Sequence, residues 1–196
     1  MYFRGGYAPF ILFFIVLGVP EPDPDPKGHE DMDMPRNRIR FVVEAALIAA
    51  MYAVLTVLIP GGSGQIQVRV AEALTILPFF TPAAIPGLFV GCFIANVFVG
   101  QGVLDMVFGP LATLVAALLT WKMPKKLLAP LPPVVINAVY VGILLYFVAG
   151  LPIVVTMGFV AIGEIIACYV LGYPLLLLLE KQKDRIFKFD RTFKKY

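Results

Sequence analysis

Four apolar runs constrain this chain more than anything else in it: Val42 to Ile59, Leu104 to Trp121, Val134 to Ala149 and Ile153 to Leu179. Runs of this length with almost no charge can satisfy their backbone N–H and C=O groups in lipid only as membrane-crossing helices. The first, at 18 residues, would rise about 27 Å as an α-helix. Composition agrees, with 60% apolar residues, 15% charged and a mean hydropathy of +0.87, whereas soluble domains carry about a quarter charged residues. The chain reads as an all-α integral membrane protein.

The number of crossings turns on the stretch from Ala73 to Val99, where Pro78, Pro82 and Pro86 interrupt the phrase LPFFTPAAIPG. This is either one kinked span or two short ones turning at Thr81 to Pro86. Charge parity separates the two. Basic blocks sit before the first run (Arg36, Arg38, Arg40), after the Leu104 run (Lys122, Lys125, Lys126) and after the last one (Lys181 onward). Cytoplasmic flanks carry the excess of Lys and Arg, so an even number of crossings must separate these blocks. Two short spans give six crossings in all and keep both termini cytoplasmic; a re-entrant hairpin satisfies the same parity. The 60–71 loop, the turn at Gly100 to Asp105 and the turn at Gly150 to Pro152 then face outward.

The first residues do not fit that scheme. Ala8 to Val19 is an apolar run of only 12 behind Arg4, followed by the acidic, Pro-rich PEPDPDPKGHEDMDMP. The run suits a signal-peptide core better than a span, and the linker should be disordered. A cleaved signal would put Arg36, Arg38 and Arg40 outside, against the charge bias of the rest. The expectation is an over-long start, with Met32 or Met34 the true beginning; the rival is a weak hydrophobic anchor.

Polar groups inside lipid are costly and therefore point to function. They are Arg69, Glu72, Asn96, Asp105, Asn137 and Glu164, with Gln65 and Gln67 in the first outer loop. Arg69 and Glu72 stand at i and i+3, where a helix would pair them. Glu164 lies about 11 residues into the last run, near mid-depth, and needs a ligand, a proton or an amide such as Asn96. Asp105 opens its span and would also serve as a helix cap. Asn137 is expected to make an interhelical hydrogen bond, and Tyr140 and Tyr146 are available to stack on a planar ligand. In EAALIAAMYA, Ala45/Ala49 and Ala46/Ala50 recur at i and i+4, a flat stripe for close helix approach.

Several classes of chemistry lack their residues. Cys92 and Cys168 lie within apolar runs and His29 is the single histidine, so no metal centre or disulfide framework is expected. A phosphate-binding G-x-x-x-x-G-K-[ST] and the hydrolase motifs H-E-x-x-H and G-x-S-x-G do not occur. No catalytic residue, cofactor or nucleic-acid partner is expected, and any uphill transport must draw on an ion gradient or partner subunits.

The stretch IQVRVAEALTILPFFTPAAIPGLFVGCFIAN, with LDMVFGPLATLVAALLT, LAPLPPVVINA and GEIIACYVLGYPLLLLLE, resembles the QueT family. These are substrate-binding S components of energy-coupling factor transporters, associated with queuosine precursors. The resemblance covers residues 39–181, leaving 1–38 as an N-terminal extension and 182–196 as a basic cytoplasmic tail. It implies a six-transmembrane-helix, S-component-like bundle in the bacterial cell membrane. It implies as well a transmembrane coupling subunit and two ATPase subunits as partners, met through the stripe of Ala45, Ala46, Ala49 and Ala50.

The polar set suits a 7-deazaguanine. A carboxylate takes the N1–H and amino donors of such a base, and an amide or Arg serves its carbonyl. Glu72 or Glu164, with Asn96, Gln67 or Arg69, supplies those groups, and Tyr140 a stacking face. Asp105 or the second glutamate would meet an aminomethyl cation, and the Gly61 to Gly64 loop would close as a lid. The alternatives are an S component for another vitamin, of thiamine or riboflavin type, a proton-coupled carrier using Glu164, and an intramembrane enzyme if Glu164 and Asp105 form an acid/base pair.

Overall fold

A computed structural model describes residues 33–59, 68–100 and 102–186. The short run Ala8 to Val19, the Gly61 to Gly64 loop with Gln65 and Gln67, and the end of the tail lie outside the described residues. The chain divides into compact units Met1–Arg36 and Asn37–Tyr196, and the bundle is the second of these.

Among the described residues there is no strand, and six main helical segments follow one another, the fifth preceded by a single 3₁₀ turn at Lys126–Leu128. They are α1 (Asp33–Leu58), a 3₁₀ helix (Val70–Phe79), α2 (Ala84–Val99), α3 (Val103–Trp121), α4 (Leu131–Ala149) and a long last helix. That last helix runs as α5 (Ile153–Ile165), a π-helical stretch (Ile166–Gly172) and α6 (Tyr173–Ile186). Four of the segments are long and apolar enough to cross a membrane: Arg38–Leu58, Val103–Trp121, Lys126–Ala149 and Ile153–Lys181.

Local chemistry explains the boundaries. Gly100 and Gly150 end α2 and α4 in the left-handed conformation, at φ 69° and 65°, which glycine adopts without a Cβ penalty. Pro132 and Pro133 sit in the first turn of α4, where a missing N–H costs nothing. The proline-broken stretch is two helices, not one kinked span. Their connection is Phe80 to Ala83, slightly earlier than the prolines alone suggest, because Pro86 is accommodated within the first turn of α2. The 3₁₀ helix has 10 residues and rises about 20 Å, short of the roughly 30 Å of hydrocarbon.

The bundle is polar inside and apolar outside. Val154, Phe147 and Phe98 are 81%, 76% and 74% exposed, while Glu72, Asn96, Asp105, Asn137 and Glu164 are all buried. Lipid can cover the former, whereas the latter require partners inside the protein.

Helix α1 lies against α2 at two glycines. A Cβ on Gly87 would come 2.7 Å from the Ala45 carbonyl oxygen, and one on Gly91 would come 2.8 Å from that of Ala49. Only glycine permits this approach. The four-alanine stripe therefore divides: Ala45 and Ala49 meet α2 inside the chain, while Ala46 and Ala50 stay exposed.

Candidate functional site

The polar residues converge on one cavity of about 440 Å³, in the size range of small-molecule sites. Its walls carry Arg69, Glu72, Asp105, Asn137, Tyr140 and Glu164 on the polar side, and Val141, Leu144, Leu145, Val148 and Val160 on the apolar side. The lining reaches Gly102 and Val148, next to the turns at 100–102 and 150–152. The cavity thus lies toward that end of the bundle.

At its centre is Asn137. Its side-chain amide nitrogen donates to Glu72 Oε2 at 3.3 Å and to Glu164 Oε1 at 3.1 Å. One amide from α4 thereby holds a carboxylate from the 3₁₀ helix and another from α5. The sequence indicates an interhelical bond for Asn137; nothing local says that it links both glutamates within the cavity wall.

The two glutamates are served differently. Glu72 receives a second donor, the Tyr52 hydroxyl, on Oε1 at 2.5 Å, so protein groups occupy both of its oxygens. For Glu164 the other oxygen, Oε2, has only the Cys168 thiol at 3.6 Å among the described residues, a weak donor. Cys168 stands one helical turn after Glu164, where i and i+4 side chains are neighbours, and the same thiol reaches the Glu72 carbonyl oxygen at 3.6 Å.

Asp105 is the third carboxylate. Its Oδ1 accepts the Tyr140 hydroxyl at 2.8 Å. Oδ2 is buried without a hydrogen-bond donor among the described residues, and the Arg69 guanidinium stands 3.8 Å away. A buried acceptor lacking a donor costs about 1–3 kcal/mol, so a ligand that supplied one would gain directly. Asp105 is not a side-chain cap of α3, which begins at Gly102 without one.

Other positions fall differently from the sequence expectation. Arg69 lies ahead of the 3₁₀ helix in extended backbone, with its guanidinium 3.8 Å from the Asp105 carboxylate on α3 and within electrostatic reach of Glu72. Asn96 gives its amide to the Asp105 backbone carbonyl at 2.9 Å and is not among the lining residues. It ties α2 to α3, and the amide partner of Glu164 is Asn137. Tyr146 is 47% exposed and outside the lining, packed edge-on with Phe147 at 5.4 Å. Tyr140 remains the lining tyrosine. Gln67 lies outside the described residues.

Tyr52, Cys92 and Thr113 also belong to the site or its support, the last two as lining residues. A polar atom in an apolar run is the only signal they carry, and it does not distinguish them from packing.

Three buried carboxylates and one half-buried guanidinium around a cavity between helices can accept hydrogen-bond donors or positive charge. The family model described as "QueT transporter" matches residues 42–181. The chain belongs to the QueT transporter family. The matched region of this QueT-family chain contains every described residue of the site and all of the helical segments except the start of the first and the end of the last. A queuosine precursor transporter, QueT, of Lactococcus lactis subsp. cremoris (strain MG1363) is 37% identical over 86 residues, covering 42% of this chain and 50% of that protein. The alignment thus spans about half the length of the relative. No solved structure gives a significant match. Membership in a transporter family, together with four helices able to cross a bilayer, makes this a membrane protein.

Proposed function

We propose that this chain is the substrate-capturing S component of an energy-coupling factor transporter. It takes a 7-deazaguanine-type queuosine precursor from outside the bacterial cell membrane. Import is driven by ATP through a transmembrane coupling subunit and two ATPase subunits, and the chain itself catalyses nothing. Family membership and the name of the relative favour the substrate class.

The observation that carries the reading is the buried Asp105 Oδ2, which among the described residues has Arg69 at 3.8 Å but no hydrogen-bond donor, on a cavity that also holds the weakly served Glu164 Oε2. A deazaguanine edge offers two adjacent donors, N1–H and the amino group, which one carboxylate can accept together. Glu164 takes that edge in this reading, and Asp105 takes a positively charged 7-substituent. Arg69 and Tyr140 flank the ligand, and the apolar residues of α4 cover its remaining face. Glu72 serves as a support because its oxygens are already occupied. Ala46 and Ala50 meet the coupling subunit. The basic ends of the bundle, including both termini, face the cytoplasm.

Mass spectrometry of the small molecule that copurifies with the protein, followed by titration, tests this. A deazaguanine precursor should bind saturably, and thiamine and riboflavin should not. Saturable binding of either vitamin instead would assign a different cargo. Precursor uptake driven by a proton gradient in cells lacking the ATPase subunits would replace the capture subunit with a carrier.

A further inference from the structure

Asn137 holds a place that pure structural support does not require. Its amide spends its hydrogens on two different carboxylates, Glu72 Oε2 at 3.3 Å and Glu164 Oε1 at 3.1 Å. Glu72 is anchored independently by Tyr52, so Asn137 is not what keeps that carboxylate in position. Among the described residues, Glu164 has only the Cys168 thiol on its other oxygen. The strong donor holding the Glu164 carboxylate is therefore the one on Asn137, and Asn137 itself is referenced to the fixed Glu72.

We propose that Asn137 is a positioning residue that sets the specificity of the cavity for a ligand with two adjacent donors, by fixing the plane of the Glu164 carboxylate. This rests on the reading that the cavity binds a deazaguanine. A carboxylate accepts two neighbouring donors only when both oxygens lie in the plane of the ligand edge, whereas one donor can be met over a wide range of carboxylate rotations. Without the amide, only the weak Cys168 thiol restrains the Glu164 carboxylate among the described residues, and the terminal torsion of a glutamate is otherwise broad. Losing Asn137 should thus remove the second hydrogen bond to the ligand and spare the first.

The test compares 7-deazaguanine, which has N1–H and the 2-amino group, with 7-deazahypoxanthine, which has N1–H alone. Wild-type protein should prefer 7-deazaguanine by about tenfold or more, the value of one hydrogen bond to a charged group. In Asn137→Leu, which keeps the branched outline but carries no hydrogen-bonding group, 7-deazaguanine binding should weaken at least about tenfold while 7-deazahypoxanthine changes by no more than about threefold. Equal weakening for both ligands, including loss of both, overturns the proposal and leaves Asn137 as packing support. An unchanged preference overturns it too. If Asn137→Leu does not fold, Asn137→Ser, whose hydroxyl can serve only one carboxylate at a time, should show the same narrowing. Wild-type protein that binds neither base refutes the deazaguanine reading itself, a result distinct from either failure of the positioning role.

Discussion

The Tyr52 hydroxyl donates to Glu72 Oε1 at 2.5 Å and bridges α1 to the 3₁₀ helix across 20 positions of sequence. Both residues are almost wholly buried, at 1% and 2% exposure, and Tyr52 is not among the cavity-lining residues. Tyr52→Phe should therefore destabilise the protein by about 1–3 kcal/mol, the cost of leaving a buried acceptor without its donor. The thermal midpoint in detergent should fall, while the ligand dissociation constant changes by less than about threefold. A large loss of affinity with no loss of stability would put Tyr52 in the binding site.

The carboxylates should separate by how many protein donors they already hold. Glu164→Gln turns an acceptor toward the ligand into a donor facing a donor. Such mispairing costs about 1–3 kcal/mol per group, so affinity should drop roughly tenfold or more. Glu72→Gln should lose less affinity and more stability, since its partners Tyr52 and Asn137 belong to the protein. Calorimetric titration with a queuosine precursor checks both variants. If neither shifts the dissociation constant by more than about twofold, recognition does not rest on these carboxylates.

Asp105 should discriminate by ligand charge. Asp105→Asn keeps the volume but removes the charge beside Arg69 and gives the Tyr140 hydroxyl a neutral partner. Affinity for a precursor with an aminomethyl cation should fall by about tenfold or more, and affinity for an uncharged precursor by less. Equal losses for the two ligands would remove Asp105 from contact with the cation.

The alanine stripe should show two phenotypes. Gly91→Ala places a Cβ 2.8 Å from the Ala49 carbonyl oxygen, a backbone atom that cannot rotate away. A cost of about 1–3 kcal/mol is expected, with Ala49→Leu, at a position 5% exposed, similarly damaging. Ala46→Leu and Ala50→Leu lie on the exposed face and should leave folding and ligand binding intact while uptake in cells falls. Unchanged uptake would take that face out of the partner contact.

Orientation is open to direct labelling. Lys125 precedes α4 and Leu151 follows it, both exposed, so they mark its two ends. Cysteine at 125 should react only with reagents reaching the cytoplasm, and cysteine at 151 with impermeant reagents from outside. The reverse pattern would invert the bundle.

The sequence alone marked the apolar helical runs and several of the points where they stop. Chain breaks depend on local chemistry: proline lacks an N–H, and glycine accepts a left-handed turn, so Pro132, Gly100 and Gly150 mark boundaries without reference to anything distant. It also identified the costly polar residues, since a carboxylate in an apolar run is conspicuous wherever its helix points. Which of them meet was decided by tertiary structure. The spans are apolar all round, so no polar stripe records the inward face of each helix, and a helix rotated by one position would expose a different set. Rotation and packing brought Asn137 to residues 65 and 27 positions away. They also spent Asn96 on the Asp105 backbone and divided the alanines between α2 and the exposed surface. Those outcomes follow from close approach at Gly87 and Gly91 and from the extended backbone at Arg69, contacts between segments that no single stretch of sequence contains.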